Sequence, residues 1–315
     1  MVFDGGRLNA HLSRLHSAQE GFTLLSVDDV HVNRCPAELV ANTKEGTMRI
    51  FVGRLVQVFI AAIVLSIEVR AQTPVIPPGD GSIENPYQIS QLGHLVWLGD
   101  TVDSSSGKCY VLQNDLDASV TTGWNGGQGF APIGTNDSLS FQGFFDGNDK
   151  IVTGLVISRP LQDYMGLFGY VGTNGVINSI GLIGGSVAGD RYVGGLVGCN
   201  AGRVDNCHFE GTVTGGSSLG HLGTGGLVGW NIHGGLIIGC HAAGSVTGQD
   251  GVGGLLGGNN GGAVRGCYAS STVSGEWKVG GFSGMNAGSL GTIDDCHATG
   301  TVTGTGSVGG LLGEN

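Results

Sequence analysis

The stretch Val193-Gly194-Gly195-Leu196-Val197-Gly198-Cys199-Asn200 decides the reading of this chain, because it returns. Gly-Gly pairs begin at Gly194, Gly225, Gly253, Gly280 and Gly309. Six residues after each first glycine stands Asn200, Asn231, Asn259, Asn286 or Asn315. A second block opens at Cys207, Cys240, Cys267 and Cys296. Six residues on come Val213, Val246, Val273 and Val302, and two further Gly215, Gly248, Gly275 and Gly304. Spacing inside the blocks never changes. Between them, Asn to Cys takes seven to ten residues, and the closing glycine to the next pair takes five, or ten between Gly215 and Gly225. Rigid blocks on elastic connectors are the signature of strands and corners in a repeat architecture.

The local chemistry agrees. Thr212-Val213-Thr214, Ser245-Val246-Thr247 and Thr301-Val302-Thr303 alternate polar, apolar, polar, the period of a half-buried strand. The fixed glycines, the Gly-Gly pairs included, are expected to supply positive φ at corners. A repeat of 27 to 31 residues with about three short strands suits one solenoid turn. One turn cannot bury its apolar side alone. Turns stacked about 4.8 Å apart pair backbones and cover each other's side chains. Leu196, Leu227, Leu255, Phe282 and Leu311 then form one interior column, each worth about 1.5–3 kcal/mol when buried. Gly166-Leu167-Phe168-Gly169 through Val187-Ala188-Gly189 fits the frame loosely, without the Gly-Gly, Asn and Cys, as a terminal turn does.

Composition supports a packed repeat. Glycine makes up 63 of 315 residues, about a fifth against a usual ~7%. The chain has no Gly-X-Y period, which excludes collagen, and too many Val, Leu and Ile for a flexible linker. Only 12% of residues are charged and the net charge is −11, with no Lys/Arg cluster, so nucleic acid is not an expected partner.

Met48 opens a stretch that reads as a secretory signal: Arg49 and Arg54, then mostly apolar residues from Leu55 to Ile67, then Val69 and Ala71 before Gln72. Thirteen helical residues span about 20 Å, short of a ~30 Å hydrocarbon core, so no membrane span is expected in the mature chain. Residues 1–47 then read as a disordered or wrongly included extension, with Met48 the true start. Gly21-Phe22-Thr23-Leu24-Leu25 is similar to a type IV prepilin site, but Ser26 replaces the usual glutamate and Asp28-Asp29 interrupts the apolar run. The expected organisation is 1–47 extension, 48–71 signal peptide, 72–164 opening region with a cap, and 165–315 repeat solenoid cut short mid-repeat at Asn315.

Val193 to Asn200, with Cys207 and Thr212-Val213-Thr214-Gly215, resembles the GLUG repeat of large bacterial surface and exported proteins, among them relatives of IgA-specific peptidases and filamentous-haemagglutinin-like adhesins. The preceding region, from Asn85-Pro86-Tyr87-Gln88-Ile89 to Pro132-Ile133-Gly134 and Phe145-Asp146-Gly147-Asn148, looks like the segment that introduces such arrays. The resemblance implies an all-β fold, a right-handed parallel β-helix; the offsets alone imply only a solenoid. Ser90 is placed to cap a short helix carrying Leu92, Leu95, Val96 and Leu98, which would plug the N-terminal end.

Cys207-His208, Cys240-His241 and Cys296-His297 invite a metal reading. Neighbours on a strand face opposite ways, so one such pair cannot chelate one ion, and inward thiols with outward imidazoles are expected instead. Export permits disulfides between stacked turns, yet small buried thiols pack well, and free thiols are expected. The asparagine column is read as structural, hydrogen-bonding along the axis. Asp294-Asp295 occurs in one repeat only, and Asp146 suits a turn; neither forms the paired acid and base of a glycosidase. No cofactor or metal is expected. Val197, Val228, Leu256 and Leu312 follow the inward column directly. On a regular strand they would make an exposed apolar stripe, a candidate partner surface, whereas a sharp corner would bring them inside. Gly216 to Thr224, the longest connector, is the next candidate surface. The expected function is an exported, noncatalytic scaffold with an adhesion-like role at the cell surface and an unknown glycan or protein ligand. The alternatives are a noncatalytic arm of a larger secreted peptidase and a carbohydrate-active β-helix enzyme.

Overall fold

The structure, a computed structural model, describes residues 72–216, 223–232, 234–288 and 291–315. The expected extension (1–47) and signal peptide (48–71) lie outside the described residues. The rest is an all-β parallel solenoid, in which every ladder between strands is parallel. From Val193 onward each coil contributes to three sheets. One holds the strands that end on the first glycine of each pair: Val193–Gly194, Thr224–Gly225, Asp250–Gly253, Trp277–Gly280 and Gly306–Gly309. A second, of six strands, stacks Phe168–Val171, Val197–Asn200, Val228–Ile232, Leu256–Asn260, Ser283–Ala287 and Leu312–Glu314. The third and largest takes two strands per coil: a short one such as Arg203–Asp205 and a long one such as His208–Thr214.

Register follows the sequence blocks. Val213 pairs with Val246, and Val246 with Val273; Asn200 pairs with Asn231, and Asn231 with Asn259. The blocks thus stay aligned from coil to coil although the connectors between them differ in length. Leu196, Leu227, Leu255 and Phe282 are each fully buried; Leu311, on the last described coil, is 40% exposed.

The chain bends at Gly195-Leu196 and its counterparts, between two strands. That corner lets two successive residues point inward, and Val197, Val228, Leu256 and Ser283 are all fully buried. The exposed apolar stripe considered for Val197, Val228 and Leu256 is thus absent; Leu312 is half-buried on the last coil.

The Gly-Gly pairs serve a different purpose from the one the sequence suggested. None of them has positive φ. A Cβ on Gly226, Gly254 or Gly281 would lie 2.1 Å from a carbonyl oxygen of the next coil, and on Gly225 or Gly253 it would lie 2.1 Å from the oxygen of Val228 or Leu256. They are glycines because backbones approach too closely for any side chain. Left-handed residues stand elsewhere, at two recurring corners. One lies two residues before each first glycine: Tyr192 (φ 57°), Gly223, Gly251, Lys278 (φ 51°) and Ser307. The other lies directly before each cysteine: Asn206, Gly239, Gly266 and Asp295. Asn, Asp and Gly tolerate that conformation best; tyrosine there is unusual and is held by packing. The Tyr192 ring stacks on Tyr164, itself left-handed, at 5.1 Å and meets Trp230 edge-on at 5.8 Å.

At the N-terminal end, strand Tyr87–Ile89 pairs only with Cys109–Leu112, and helix α1 (Leu92–Asp100) follows it. Leu95, Val96 and Leu98 are buried and Trp97 packs edge-on against Tyr87 at 5.0 Å. The N-cap position is Gln91 rather than Ser90, and its side chain makes no capping hydrogen bond. Instead the Ser90 N–H donates to His94 Nδ1 at 3.1 Å, so the histidine side chain reaches back where a serine hydroxyl was expected to reach forward.

Candidate functional site: the outward face of the long strands

Cys207, Cys240, Cys267 and Cys296 form one interior file. The Cys207 N–H donates to the sulfur of Cys240 at 3.4 Å, and the Cys240 N–H to that of Cys267 at 3.3 Å. The thiols point back to carbonyls of the preceding corner, Cys207 to Asp205 at 3.0 Å and Cys267 to Arg265 at 3.2 Å. All six described cysteines are free. Cys240 is pushed well above the ordinary thiol range, by burial first. Cys267 is pushed up to about 12, chiefly by its hydrogen bond with Cys240. Cys240 and Cys267 therefore carry little thiolate character, which makes them poor nucleophiles and poor metal ligands.

The asparagine file is a continuous chain of amides. Asn200 donates to Asn231 at 2.8 Å, Asn231 to Asn259 at 2.9 Å, Asn259 to Asn286 at 2.9 Å, and Asn286 to Asn315 at 2.8 Å. The Asn231 and Asn259 amides also donate to a corner carbonyl, Gly235 O and Gly262 O respectively, both at 3.0 Å. Asn200, Asn231 and Asn259 are fully buried, and polar groups so satisfied hold corners in place.

Where the thiols point in, the residues after them point out. His208, His241, Tyr268 and His297 stack ring on ring, with centroids 4.8, 4.7 and 5.4 Å apart and planes within 10° of parallel. The spacing is that of the coils themselves. Rings stacked along the axis turn their edges, not their faces, to solvent. His208 and His241 are held below the ordinary imidazole range by burial first. The neighbouring His208 lowers His241 further, and Glu210 opposes both shifts. Ring nitrogens of parallel stacked imidazoles do not converge on a point. No grouping of three or more His, Cys, Asp or Glu that could hold a metal ion occurs among the described residues.

Further along the same strands lie two rows of hydroxyls. Ser186, Thr212, Ser245 and Thr272 are in register, as are Thr214, Thr247, Ser274 and Thr303. The alternation Thr-Val-Thr marked the strands in the sequence, but that their outer residues make a continuous surface needed the coil-to-coil register. Of the residues weighed for catalysis, Asp146 accepts from the Asn148 N–H at 3.0 Å and from Asn178 Nδ2 at 3.2 Å, a turn and ladder role. Asp294 and Asp295 belong to a short outer strand and a left-handed corner. The best-formed depression, about 370 Å³, lies among Lys108, Cys109, Gln142, Phe144 and Asn174 and contains no carboxylate. In the long connector, residues 217–222 lie outside the described residues. No helix among the described residues is long and apolar enough to cross a membrane.

Stacked parallel coils, an amide chain and an inward thiol file define a repeat β-solenoid. The chain carries the family signature described as the GLUG motif, matched at residues 166–214 and 275–303. The first match begins in the coil that lacks the Gly-Gly, Asn and Cys. Halomucin of Haloquadratum walsbyi is 38% identical over 148 residues, 46% of this chain and 2% of that protein. A candidate Gly-rich membrane protein of Evansella cellulosilytica is 36% identical over 145 residues, 45% of this chain and 16% of that one. The chain thus spans a small fraction of either relative. Among solved structures, a candidate immunoglobulin A1 protease from Bacteroides ovatus superposes with a TM-score of 0.50 at 20% identity, covering 73% of this chain and 86% of that one. At that identity the likeness is one of fold.

Proposed function

We propose that this chain is a noncatalytic scaffold exposed at the cell surface, an adhesion-like array that presents repeated coils to a glycan or protein ligand. The observation that carries the reading is the amide chain from Asn200 to Asn315, in which each coil's asparagine donates to that of the next. Repetition of this kind extends a surface. Catalysis instead needs unlike groups gathered at one place, a nucleophile beside its base or an acid opposite its partner. The names of the two matched relatives, halomucin and a Gly-rich membrane protein, support an exposed location.

Protease shaving of intact cells that produce the chain tests exposure: solenoid peptides are expected in the supernatant, and their retention until lysis would overturn the reading. Adhesion is tested by deleting one coil, residues 253–279, which leaves flanking blocks able to pair. Cells bearing the shortened chain are expected to adhere less well, though measurably, to mucin-coated plates. Unchanged adhesion would show that the coils do not carry the contact.

A further inference from the structure

Across the three long strands His208–Thr214, His241–Thr247 and Tyr268–Ser274, register runs without a shift, and Glu210 is the sole acidic or basic side chain apart from the two histidines. Thr212, Thr214, Thr247, Thr272 and Ser274 are exposed and Ser245 half-buried, and among the described residues none takes a hydrogen bond from their hydroxyls. Along the axis the hydroxyls repeat at the strand spacing of about 4.8 Å. Across the strand they repeat every second residue, about 6.6 Å. Val213, Val246 and Val273, locked in the core between the two rows, fix the backbone beneath them. The four threonines, Thr212, Thr214, Thr247 and Thr272, add stiffness at χ1 and a methyl beside the hydroxyl.

A hydroxyl that exchanges water for a ligand gains little, because the bonds nearly cancel. Such an array therefore discriminates only when many members engage one partner at once, which demands a partner with the same two repeats. A soluble sugar meets one or two hydroxyls, and the adjacent His-His-Tyr-His file offers it ring edges instead of a stacking face. A mineral lattice of ions would need rows of charge, and the rows are neutral. Ice is a neutral solid whose surface oxygens both donate and accept, in rows that repeat at nearly the inter-strand distance of a β-sheet. We propose that the two hydroxyl rows on the outward face of the long strands form an ice-binding surface. The threonine methyls sit between ordered waters and the hydroxyls join the lattice. The proposal stands on this face alone and does not depend on the adhesion reading.

The purified full chain is to be frozen slowly onto a cold finger beside an inert globular protein, and its partition into ice measured. Severalfold enrichment of the chain over the control is expected. Thr247→Tyr places a bulky ring in the middle of one row and should return partition to the control level. Arg265→Tyr, at an exposed position on a neighbouring short strand, should leave enrichment intact. Unchanged far-ultraviolet circular dichroism of both variants shows that the solenoid survives. Exclusion of the wild type from ice overturns the proposal, as does enrichment that Thr247→Tyr leaves unchanged. Binding to microcrystalline cellulose or chitin without ice partition overturns it in favour of a polysaccharide surface.

Discussion

Between Tyr87 and Phe168 the interior is filled by rings in series. Trp97 meets Tyr87 at 5.0 Å, Tyr87 meets Tyr110 at 5.4 Å, Tyr110 meets Phe141 at 5.8 Å, and Phe168 meets both Phe141 and Phe145 at 5.1 and 5.3 Å. From Leu196 onward most of these columns hold smaller groups, Phe209 and Phe282 being the exceptions. The file that begins with Tyr110 and Phe145 continues as Ile177, Val204, Ile237 and Val264. The file of Leu182 and Phe209 continues as Ala242 and Ala269. A region made once can fit a few large, unlike rings together. A region made by repetition needs each side chain to fit its own copy above and below, which favours Leu, Val, Ala, Cys and Asn. The N-terminal region therefore concentrates its stability in a few residues, whereas the coils spread theirs over files.

That contrast can be broken most forcefully at Phe145, fully buried and edge-on to Phe168. Phe145→Ala is expected to cost about 3–5 kcal/mol in urea unfolding, since neither neighbouring coil can close the gap. Gly254→Ala comes next. Its Cβ would stand 2.1 Å from Gly281 O, and about 1–3 kcal/mol of overpacking is expected, seen as a lower thermal midpoint. A normal midpoint would mean that the backbones can part there. Asn231→Ala leaves the Asn259 Oδ1 without its donor and the Gly235 carbonyl uncapped, at about 1–3 kcal/mol in urea unfolding. A much smaller loss would show that the amide file is decorative.

Thr224 points the other way. It occupies the column of Val193 and Val252, fully buried, with a hydroxyl that has no hydrogen-bond partner. Thr224→Val is expected to stabilise the fold by about 1 kcal/mol in the same unfolding measurement.

The smallest effect is that of pH. His208 and His241 are lowered in the folded state, so the unfolded chain takes up protons first as pH falls. Their contribution is complete above the unfolded value of about 6.5 and is lost as pH drops through it toward the folded values. The thermal midpoint should fall between about pH 8 and about pH 5, and the doubly substituted His208→Gln, His241→Gln chain should show a flatter profile.

Much of this was legible in one dimension. Invariant offsets between Gly-Gly, Asn, Cys and Val fixed the coil, its register and its interior files, because a strand that must pair with its own copy cannot change length. One further signal was present and passed over. Asn206, Gly239, Gly266 and Asp295, each just before a cysteine, are residue types that favour the left-handed corner they occupy. The companion corner carries Tyr192 and Lys278 and could not have been found that way, since neither residue prefers that conformation.

The sequence by itself determined that coils repeat, which residues share a file, and that a solenoid results, since periodicity is a property of the chain. Only the tertiary structure decided which way the files face. Val197 turns inward because the backbone bends at Gly195-Leu196, where the neighbouring coil and the Phe209 ring leave no room for a Cβ. Ring stacks and hydroxyl rows likewise belong to no single coil; they exist only where neighbours lie in register.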